Sequence, residues 1–269
     1  MSSQATTVLE RILAETRVEV QRRKRECPLV QAPAREGGRA AGQRRFRDAL
    51  RGEQIGVIAE FKRRSPSAGA LRERPDVAEI VSAYERGGAV AVSILTEGPN
   101  FGGALEDLRV ARGACDLPLL RKDFVVDPYQ LQEALAAGAD AVLLIVAALA
   151  RDELAALHDS ARALGLDVLV EVHDREELGI ALALGAEIVG INNRDLRDFS
   201  VDVERTAILM DEMPSGVIVV SESGIVGAEQ LRRLRQRGVD AVLVGETLML
   251  AADPAAALRE LSSQSHEKI

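Results

Sequence analysis

The sequence is poor in cysteine and has no hydrophobic run long enough to cross a membrane. Its two cysteines, Cys27 and Cys115, are too few for a disulfide scaffold and lack the partner spacing of a zinc site. We therefore expect free thiols in a reducing cytoplasm. The apolar runs stay below about 10 residues, whereas a transmembrane helix needs about 20. The N-terminus is polar and leads into a charged helix, which is not the pattern of a signal peptide.

The sequence also has few histidines, three in all, and no nucleotide-binding motif. His158, His173 and His266 are scattered along the chain, and no second ligand stands at a suitable spacing near His173. A bound metal is therefore not expected, and His173, which shares the strand parity of Glu171, suits a supporting or surface role. No G-x-G-x-x-G or P-loop pattern is present, so we expect no bound nucleotide.

Positive charge is in deficit, with 34 basic against 42 acidic residues and a net charge of −8. This balance disfavours a general role in binding nucleic acid or a membrane surface. An anionic ligand would need a local basic pocket. No obligatory protein partner is indicated.

A helical segment precedes the repeating part of the chain. In residues 7 to 26, apolar residues recur at helical spacing between charged ones, which predicts an amphipathic helix. Residues 31 to 43 are rich in Ala, Gly and Arg and suit a connection, and Phe46 to Leu50 suit a short helix. We predict an N-terminal helical extension over residues 1–56 and a catalytic domain over residues 57–269.

The second part of the chain repeats a short Val/Ile/Leu run, a polar loop and a longer helical stretch that ends in Gly. Eight such runs, at a mean spacing of about 26 residues, predict a single α/β domain with the (β/α)8 barrel fold. An open, doubly wound sheet is the alternative. With 47% hydrophobic residues, the chain has material for one large core. The predicted strands begin near Val57, Ala91, Pro118, Ala141, Asp167, Ile188, Val217 and Ala241.

A longer repeat supports closure of the barrel. Four similar segments begin at Gly88, Gly138, Gly185 and Gly238, at intervals of 50, 47 and 53 residues, and each leads into an even-numbered strand. Glycine in the left-handed conformation ends helices. A period of about 50 residues predicts fourfold repetition of a βαβα unit.

Polar residues follow seven of the eight predicted strands, although the strands themselves are almost wholly apolar. Active sites of such barrels lie at the carboxyl ends of the strands. After the first strand, Glu60 and Lys62 point to the same face because side chains alternate along a strand. An acid and a base on one inward face are costly to bury unless they pair or meet a polar ligand.

Lys122, at the end of the third predicted strand, has three possible roles. It suits a general acid, a nucleophile that forms a Schiff base, or one half of a structural ion pair. Glu60 or Glu171 is expected to reach it across the barrel mouth and to keep it protonated. A protonated lysine suits acid catalysis better than imine formation.

The loops after the seventh and eighth strands are the usual phosphate-binding loops of these barrels. Here they carry Ser221-Glu-Ser-Gly224 and Val244-Gly-Glu246, which supply small residues where the backbone must approach a ligand closely. Lys62, Ser65 and Arg194 are candidates to contribute charge and hydrogen bonds to the same anion.

At these positions the sequence resembles the indole-3-glycerol-phosphate synthase family, over nearly the whole chain. The matching motifs are Glu60-Phe-Lys-Arg-Arg-Ser-Pro-Ser67, Leu120-Arg-Lys-Asp-Phe124, Leu169-Val-Glu-Val-His173, Gly190-Ile-Asn-Asn-Arg-Asp-Leu196 and Ser221-Glu-Ser-Gly-Ile225. The resemblance implies a carbon-carbon lyase of tryptophan biosynthesis that works without metal or organic cofactor. Its phosphorylated substrate would be 1-(2-carboxyphenylamino)-1-deoxyribulose 5-phosphate, and its products indole-3-glycerol phosphate, carbon dioxide and water.

The same resemblance implies roles for individual residues. Lys122 would protonate the ketone oxygen, Glu171 and Lys62 would serve as base and acid in the later steps, and Glu60 would hold the lysines and substrate hydroxyls. The motifs leave open how acid roles divide between the two lysines. Phe124 and Leu143 would offer an apolar face to the anthranilate ring, although Phe124 suits packing equally well. The resemblance further implies substrate-binding roles for Ser65, Asn192, Arg194, Glu222, Ser223, Gly224, Gly245 and Glu246, with Glu246 acting through its backbone.

Three other functions are compatible with parts of this pattern. Phosphoribosylanthranilate isomerase is the nearest relative in fold but should lack the Glu60–Lys62 pair and Lys122. A class I aldolase would use Lys122 as a nucleophile. An inactive barrel that binds in a biosynthetic complex should have a damaged set of acids and bases, and none is visible.

Overall fold

The computed structural model describes residues 7–28, 46–65, 69–73, 75–195 and 200–263. Its central strands are β1 (Gly56–Phe61), β2 (Ala91–Leu95), β3 (Leu119–Lys122), β4 (Ala141–Ile145), β5 (Asp167–Val172), β6 (Ile188–Asn192), β7 (Ile218–Glu222) and β8 (Ala241–Val244). Its helices are α1 (Val8–Glu26), α2 (Phe46–Leu50), α3 (Val77–Gly87), α4 (Leu105–Ala114), α5 (Pro128–Ala136), α6 (Arg151–Ala163), α7 (Arg175–Ala183), α8 (Glu204–Met210), α9 (Ala228–Gln236), α10 (Glu246–Leu250) and α11 (Pro254–Ser263). A 3₁₀ turn spans Val146–Ala148, and Arg64–Ser65 pairs with Gly69–Ala70 in a two-stranded ribbon after β1.

The eight central strands are all parallel and close into a barrel in the order of the sequence. Closure is made by β1 and β8, where Gly56 pairs with Ala241 and Ala59 with Val244. The predicted (β/α)8 fold is confirmed, and the open sheet is excluded. Each strand begins within one residue of its predicted start.

Alternation along the strands divides the core into two layers. Inward side chains such as Ile58, Leu120, Leu143 and Leu169 form one buried cluster inside the barrel. Outward side chains such as Val142, Val170 and Val189 pack against the helices in a second, larger cluster. Because both faces of each strand are covered, the strands read as continuous apolar runs rather than as alternating ones.

Glycine ends the helices where the sequence repeat predicted it. Gly88, Gly138, Gly185 and Gly238 have φ of 91°, 92°, 76° and 90°, which is the left-handed region. A side chain in that region is strained, whereas glycine is not. The repeated residue therefore reverses the chain from each helix into the next buried strand.

The N-terminal helices pack against the two ends of the barrel. Leu9 and Ile12 of α1 and Phe46 and Leu50 of α2 belong to the same buried cluster as the barrel interior. Both predicted helices are confirmed, with Thr7 and Glu10 forming a capping box at the start of α1. The predicted connection over residues 31 to 43 lies outside the described residues, and the domain boundary after residue 56 stays a prediction.

Two cations near the end of α1 attach it to α5. Arg23 Nη1 lies 3.1 Å from Glu133 Oε2, and Lys24 Nζ lies 2.9 Å from Asp127 Oδ2. In the part of the chain that the structure describes, no helix is both long and apolar enough to cross a membrane.

Candidate active site

A cleft opens at the carboxyl ends of the strands and encloses about 980 Å³ of non-protein space, including its mouth. All of the site residues predicted from the sequence line it, because each lies at a strand end or in the loop that follows. They are Glu60, Lys62, Ser65, Lys122, Phe124, Glu171, Asn192, Arg194, Glu222, Ser223, Gly224, Gly245 and Glu246. The structure therefore brings the predicted set together, and the role of each member stays a prediction.

Glu60 and Lys62 form an ion pair on the inner face of the barrel. Glu60 Oε1 lies 2.7 Å from Lys62 Nζ, and the Glu60 side chain is 4% exposed. Phe61, between them in sequence, is fully buried in the outer layer of the core. The alternation of side chains along β1 thus places both charges in the cleft.

Lys122 lies between two carboxyl groups from other strands. Its Nζ is 3.2 Å from Glu171 Oε2 and 3.3 Å from Glu222 Oε2. Burial lowers the pKa of Lys122, but the charges of Glu222, Glu171 and Glu60 outweigh burial and raise it overall. The lysine is therefore protonated, as the sequence predicted from Glu60 or Glu171. Glu222 is a direct partner that the sequence prediction did not assign to it.

The two carboxyl groups that share Lys122 differ in their surroundings. Burial raises the pKa of Glu222 to about 7, with only partial compensation by Lys122 and further repulsion from Glu171 and Glu60. Burial also opposes ionisation of Glu171, but Lys122, His173 and a hydrogen bond from Asn192 together lower its pKa. Two neighbouring carboxyl groups whose pKa values are shifted in opposite directions suit an acid and a base in one site.

Two asparagines at the end of β6 order the neighbouring loops. Asn192 Oδ1 accepts a hydrogen bond from the backbone N–H of Arg194 at 3.0 Å, which turns the chain at the cleft. Asn193 Nδ2 donates to the carbonyl oxygen of Ser223 at 3.0 Å. Asn193 was not predicted as a site residue, since its side-chain contacts lie 13 to 30 residues away in the sequence.

The loops after β7 and β8 form one wall of the cleft, and small residues line it. Ser223 and Gly224 both have positive φ, 65° and 74°, so consecutive peptide groups turn sharply at the end of β7. Gly245 follows β8 directly, and Glu246 begins α10. Lys62 and Ser65 also line the cleft, and they bring a cation and a hydroxyl to it.

Apolar side chains form another wall of the cleft. The rings of Phe101 and Phe124 have centroids 6.4 Å apart at an interplanar angle of 39°. Leu95, Leu143 and Ile145 complete this wall. Phe124 and Leu143 were predicted here, whereas Phe101, in the loop after β2, was not predicted to line the site.

A buried network anchors the strand that carries Lys122. Arg121 is fully buried and lies 2.8 Å from Asp123 Oδ2 and 3.2 Å from Glu133 Oε2. Asp123 also accepts hydrogen bonds from Thr96 Oγ1 at 2.6 Å and from the backbone N–H of Phe124 at 2.9 Å. The network fixes the residues on either side of Lys122, and sequence reasoning did not single it out.

Among the described residues, no three His, Cys, Asp or Glu side chains are grouped in a way that could hold a metal ion. The expectation that the protein works without metal or cofactor stays a prediction.

Sequence comparisons identify close relatives over almost the whole chain. A family model described as Indole-3-glycerol phosphate synthase matches residues 9–261. A Streptomyces coelicolor protein named Indole-3-glycerol phosphate synthase 2 is 50% identical over 94% of this chain and 98% of its own length. Proteins named Indole-3-glycerol phosphate synthase from Kineococcus radiotolerans and Bordetella pertussis are 48% and 47% identical, over 95% and 94% of this chain and 94% and 98% of theirs.

Comparison with solved structures shows the fold alone. Thiamine phosphate pyrophosphorylase from Pyrococcus furiosus matches with a TM-score of 0.60 and 22% identity, over 82% of this chain and 98% of its own. KGPDC from Streptococcus mutans matches with a TM-score of 0.58 and 13% identity, over 79% of this chain and 98% of its own.

Proposed function

Because the chain belongs to the indole-3-glycerol phosphate synthase family, we propose that Lys122, Glu171, Lys62 and Glu60 are the catalytic residues of its reaction. The protein is a decarboxylating lyase of tryptophan biosynthesis and acts on a phosphorylated small molecule. The reaction closes the indole ring of 1-(2-carboxyphenylamino)-1-deoxyribulose 5-phosphate, with loss of carbon dioxide and water. It therefore needs a proton for the ketone oxygen, and later a base for a ring proton and an acid for the leaving hydroxyl.

Lys122 is the proposed acid for ring closure. As the ring carbon attacks the ketone, its oxygen gains negative charge and basicity, so a fixed ammonium group stabilises it and then donates a proton. The observation that carries this proposal is the position of Lys122 Nζ, 3.2 and 3.3 Å from two buried carboxyl groups. These neighbours keep the ammonium charged and hold it in one place until the substrate oxygen needs it.

Glu171 and Lys62 are the proposed base and acid for the later steps. Glu171 is buried and favours the ionised form, which suits a base that removes a proton in the step that restores aromaticity. Lys62 Nζ, held by Glu60, lies on the opposite part of the cleft and suits protonation of the departing hydroxyl. Glu60 orients Lys62 and offers its second oxygen to substrate hydroxyls.

The two ends of the substrate suit different walls of the cleft. The loops with Ser223, Gly224, Gly245 and Glu246 would bind the phosphate through backbone N–H groups, with Ser65, Lys62 and Arg194 adding side-chain contacts. The apolar wall around Phe124 and Leu143 would contact the anthranilate ring. Asn192 and Glu222 would line the pocket between these ends.

A direct assay tests this proposal. Purified protein is mixed with synthetic carboxyphenylamino-deoxyribulose phosphate in the presence of a chelator, and indole formation is followed by its fluorescence. Product formation is expected, and it would exclude a required dissociable metal. Absence of product with intact binding would favour a binding subunit, and absence of binding would point to another phosphorylated ligand.

A Schiff-base mechanism at Lys122 predicts a different result. Borohydride added during turnover would trap a covalent substrate adduct, detected as a mass increase on Lys122. The proposed acid role predicts no adduct. We also propose a cytoplasmic location, in keeping with the free thiols of Cys27 and Cys115 and the biosynthetic role of the family.

A further inference from the structure

His173 lies just beyond the end of β5 and contacts the proposed base Glu171. Its Nε2 is 3.5 Å from Glu171 Oε1, and its Nδ1 is 3.0 Å from Glu177 Oε2 near the start of α7. Glu177 also accepts a hydrogen bond from the backbone N–H of His173 at 2.8 Å, so both the ring and the backbone are fixed. The imidazole ring therefore lies between the carboxylates of Glu171 and Glu177 and contacts both.

This arrangement favours an imidazolium ring. A neutral imidazole has one donor and one acceptor nitrogen. If Nδ1 donates to Glu177, a neutral ring turns its Nε2 lone pair toward Glu171 Oε1, and neither atom has a hydrogen-bond partner among the described residues. A proton on Nε2 converts this contact into a charge-assisted one.

The charges around the ring act in both directions. Burial lowers the pKa of His173, and Arg205 of α8 also lowers it, but Glu177 and Glu171 outweigh both and raise it overall. Behind Glu171 lie Lys122 of β3 and Glu222 of β7. The imidazolium thus adds a second positive charge beside Glu171, which otherwise shares Lys122 with Glu222.

Glu171 and Glu222 share Lys122 unequally. Their side chains are 1% and 2% exposed, so each is costly to ionise without a nearby cation. Among the described residues, Glu222 has Lys122 as its one basic neighbour within ion-pair distance, whereas Glu171 has both Lys122 and His173.

We propose that His173 is a positioning residue that fixes Glu171 as the carboxyl group that stays ionised beside Lys122, so that Glu222 takes up the first proton as the pH falls. The contribution to turnover rests on the proposed function, since it makes Glu171 available as the base. The order of protonation is a property of the free protein and does not depend on the reaction.

Difference infrared spectroscopy of the free protein tests the order of protonation. The C=O band of a protonated, buried carboxyl group is followed during titration from pH 8 to pH 5, in the starting protein and in His173→Asn. Glu222→Gln and Glu171→Gln are then introduced separately into each of these two proteins. The substitution that removes the band identifies the carboxyl group that gives rise to it. His158→Asn is the matched control, because His158 is also buried but belongs to α6.

We expect Glu222→Gln to remove the first band in the starting protein and in His158→Asn. In the His173→Asn background, we expect the added change Glu171→Gln to remove at least half of the first band. The reason is that Glu171 has lost its second cation and therefore takes up a proton earlier. Assignment of the first band to Glu222 alone in His173→Asn would overturn the inference. Assignment to Glu171 in the starting protein would overturn it as well.

The pH profile of turnover gives a second test. In His173→Asn, the acid limb of kcat should move to higher pH by roughly 1 to 3 pH units, the scale of losing a nearby opposite charge. Glu177→Gln, which leaves the ring in place but weakens its contact with residue 177, should move it in the same direction by less. An unmoved acid limb in both folded variants would contradict the proposed role.

The two tests separate this inference from the proposed function. If the protein makes no indole product while the infrared assignments follow the expected order, the function fails and the inference about His173 stands. If product forms but the infrared assignments are the same with and without His173, the proposed function stands and the inference about His173 fails.

Discussion

Gly245 lies so close to Glu60 that a side chain at position 245 would collide with the proposed catalytic ion pair. A Cβ atom placed on Gly245 would stand 2.5 Å from Glu60 Oε1 and 3.0 Å from Lys62 Nζ. A side chain at the end of β8 could therefore be accommodated only if the charged groups at the end of β1 moved.

Gly245→Ala should displace the Glu60–Lys62 pair and lower kcat/KM by about 10- to 100-fold, because small displacements of catalytic groups are costly. Steady-state kinetics of indole formation measures the effect. Gly113→Ala is the control, since a Cβ on Gly113 of α4 meets no atom within 4 Å. Activity of Gly245→Ala equal to that of Gly113→Ala would show that the tight packing at Gly245 is not needed for catalysis.

Glu60→Gln should reduce turnover more than binding. The amide keeps the size of the side chain but removes the charge that holds Lys62, so we expect kcat to fall by about 10- to 100-fold. The dissociation constant of a nonreactive substrate analogue, measured by titration, should change by much less. Glu106→Gln on the exposed side of α4 serves as the control. A loss confined to analogue binding would argue against the proposed role of Glu60.

Glu222 should make the protein less stable as the pH rises. Its pKa is raised from 4.5 to about 7 in the folded protein, so between these pH values the folded state holds a proton that the unfolded state has released. The free energy of unfolding should therefore fall across this window, on the order of 2 to 4 kcal/mol for this group.

Urea unfolding at pH 5 and pH 8 measures this contribution by comparison with Glu222→Gln, which cannot titrate at that position. The variant should become more stable relative to the starting protein as the pH rises. An equal pH dependence in both proteins would show that Glu222 ionises normally.

Arg121→Met should destabilise the barrel by roughly 3 to 5 kcal/mol, because it leaves Asp123 and Glu133 buried without their central cation. The control is Arg109→Met, which removes an exposed ion pair with Glu106 and should cost less than about 1 kcal/mol. Urea unfolding of both variants measures the difference. Similar midpoints would mean that Asp123 and Glu133 are adequately balanced by their remaining partners.

The contrast between Lys122 and Arg121 shows how far the sequence could predict this site. The position of Lys122 follows from strand parity and from the rule that barrel strands present their carboxyl ends to the active site. Arg121 has the opposite parity and points into the outer layer. Its partners Thr96, after β2, and Glu133, on α5, lie 25 and 12 residues away, so these contacts depend on how other elements pack against β3.

The same limit applies within the cleft. The pairing of Glu60 with Lys62 could be predicted because two residues of one strand share a face. The contact of Lys122 with Glu222 joins two strands 100 positions apart in sequence, and its distance depends on the packing across the barrel mouth. The strands and the ends of the helices could be predicted because they depend on local patterns.

The central claim is that Lys122 supplies the proton for ring closure. Lys122→Ala should therefore lower kcat for indole formation by at least about 100-fold, the scale of losing a general acid, and its circular dichroism should match that of the starting protein. Lys24→Ala is the matched control, because Lys24 forms its ion pair with Asp127, just before α5, and does not line the cleft. We expect full activity for Lys24→Ala. Near-normal kcat in folded Lys122→Ala would contradict the account.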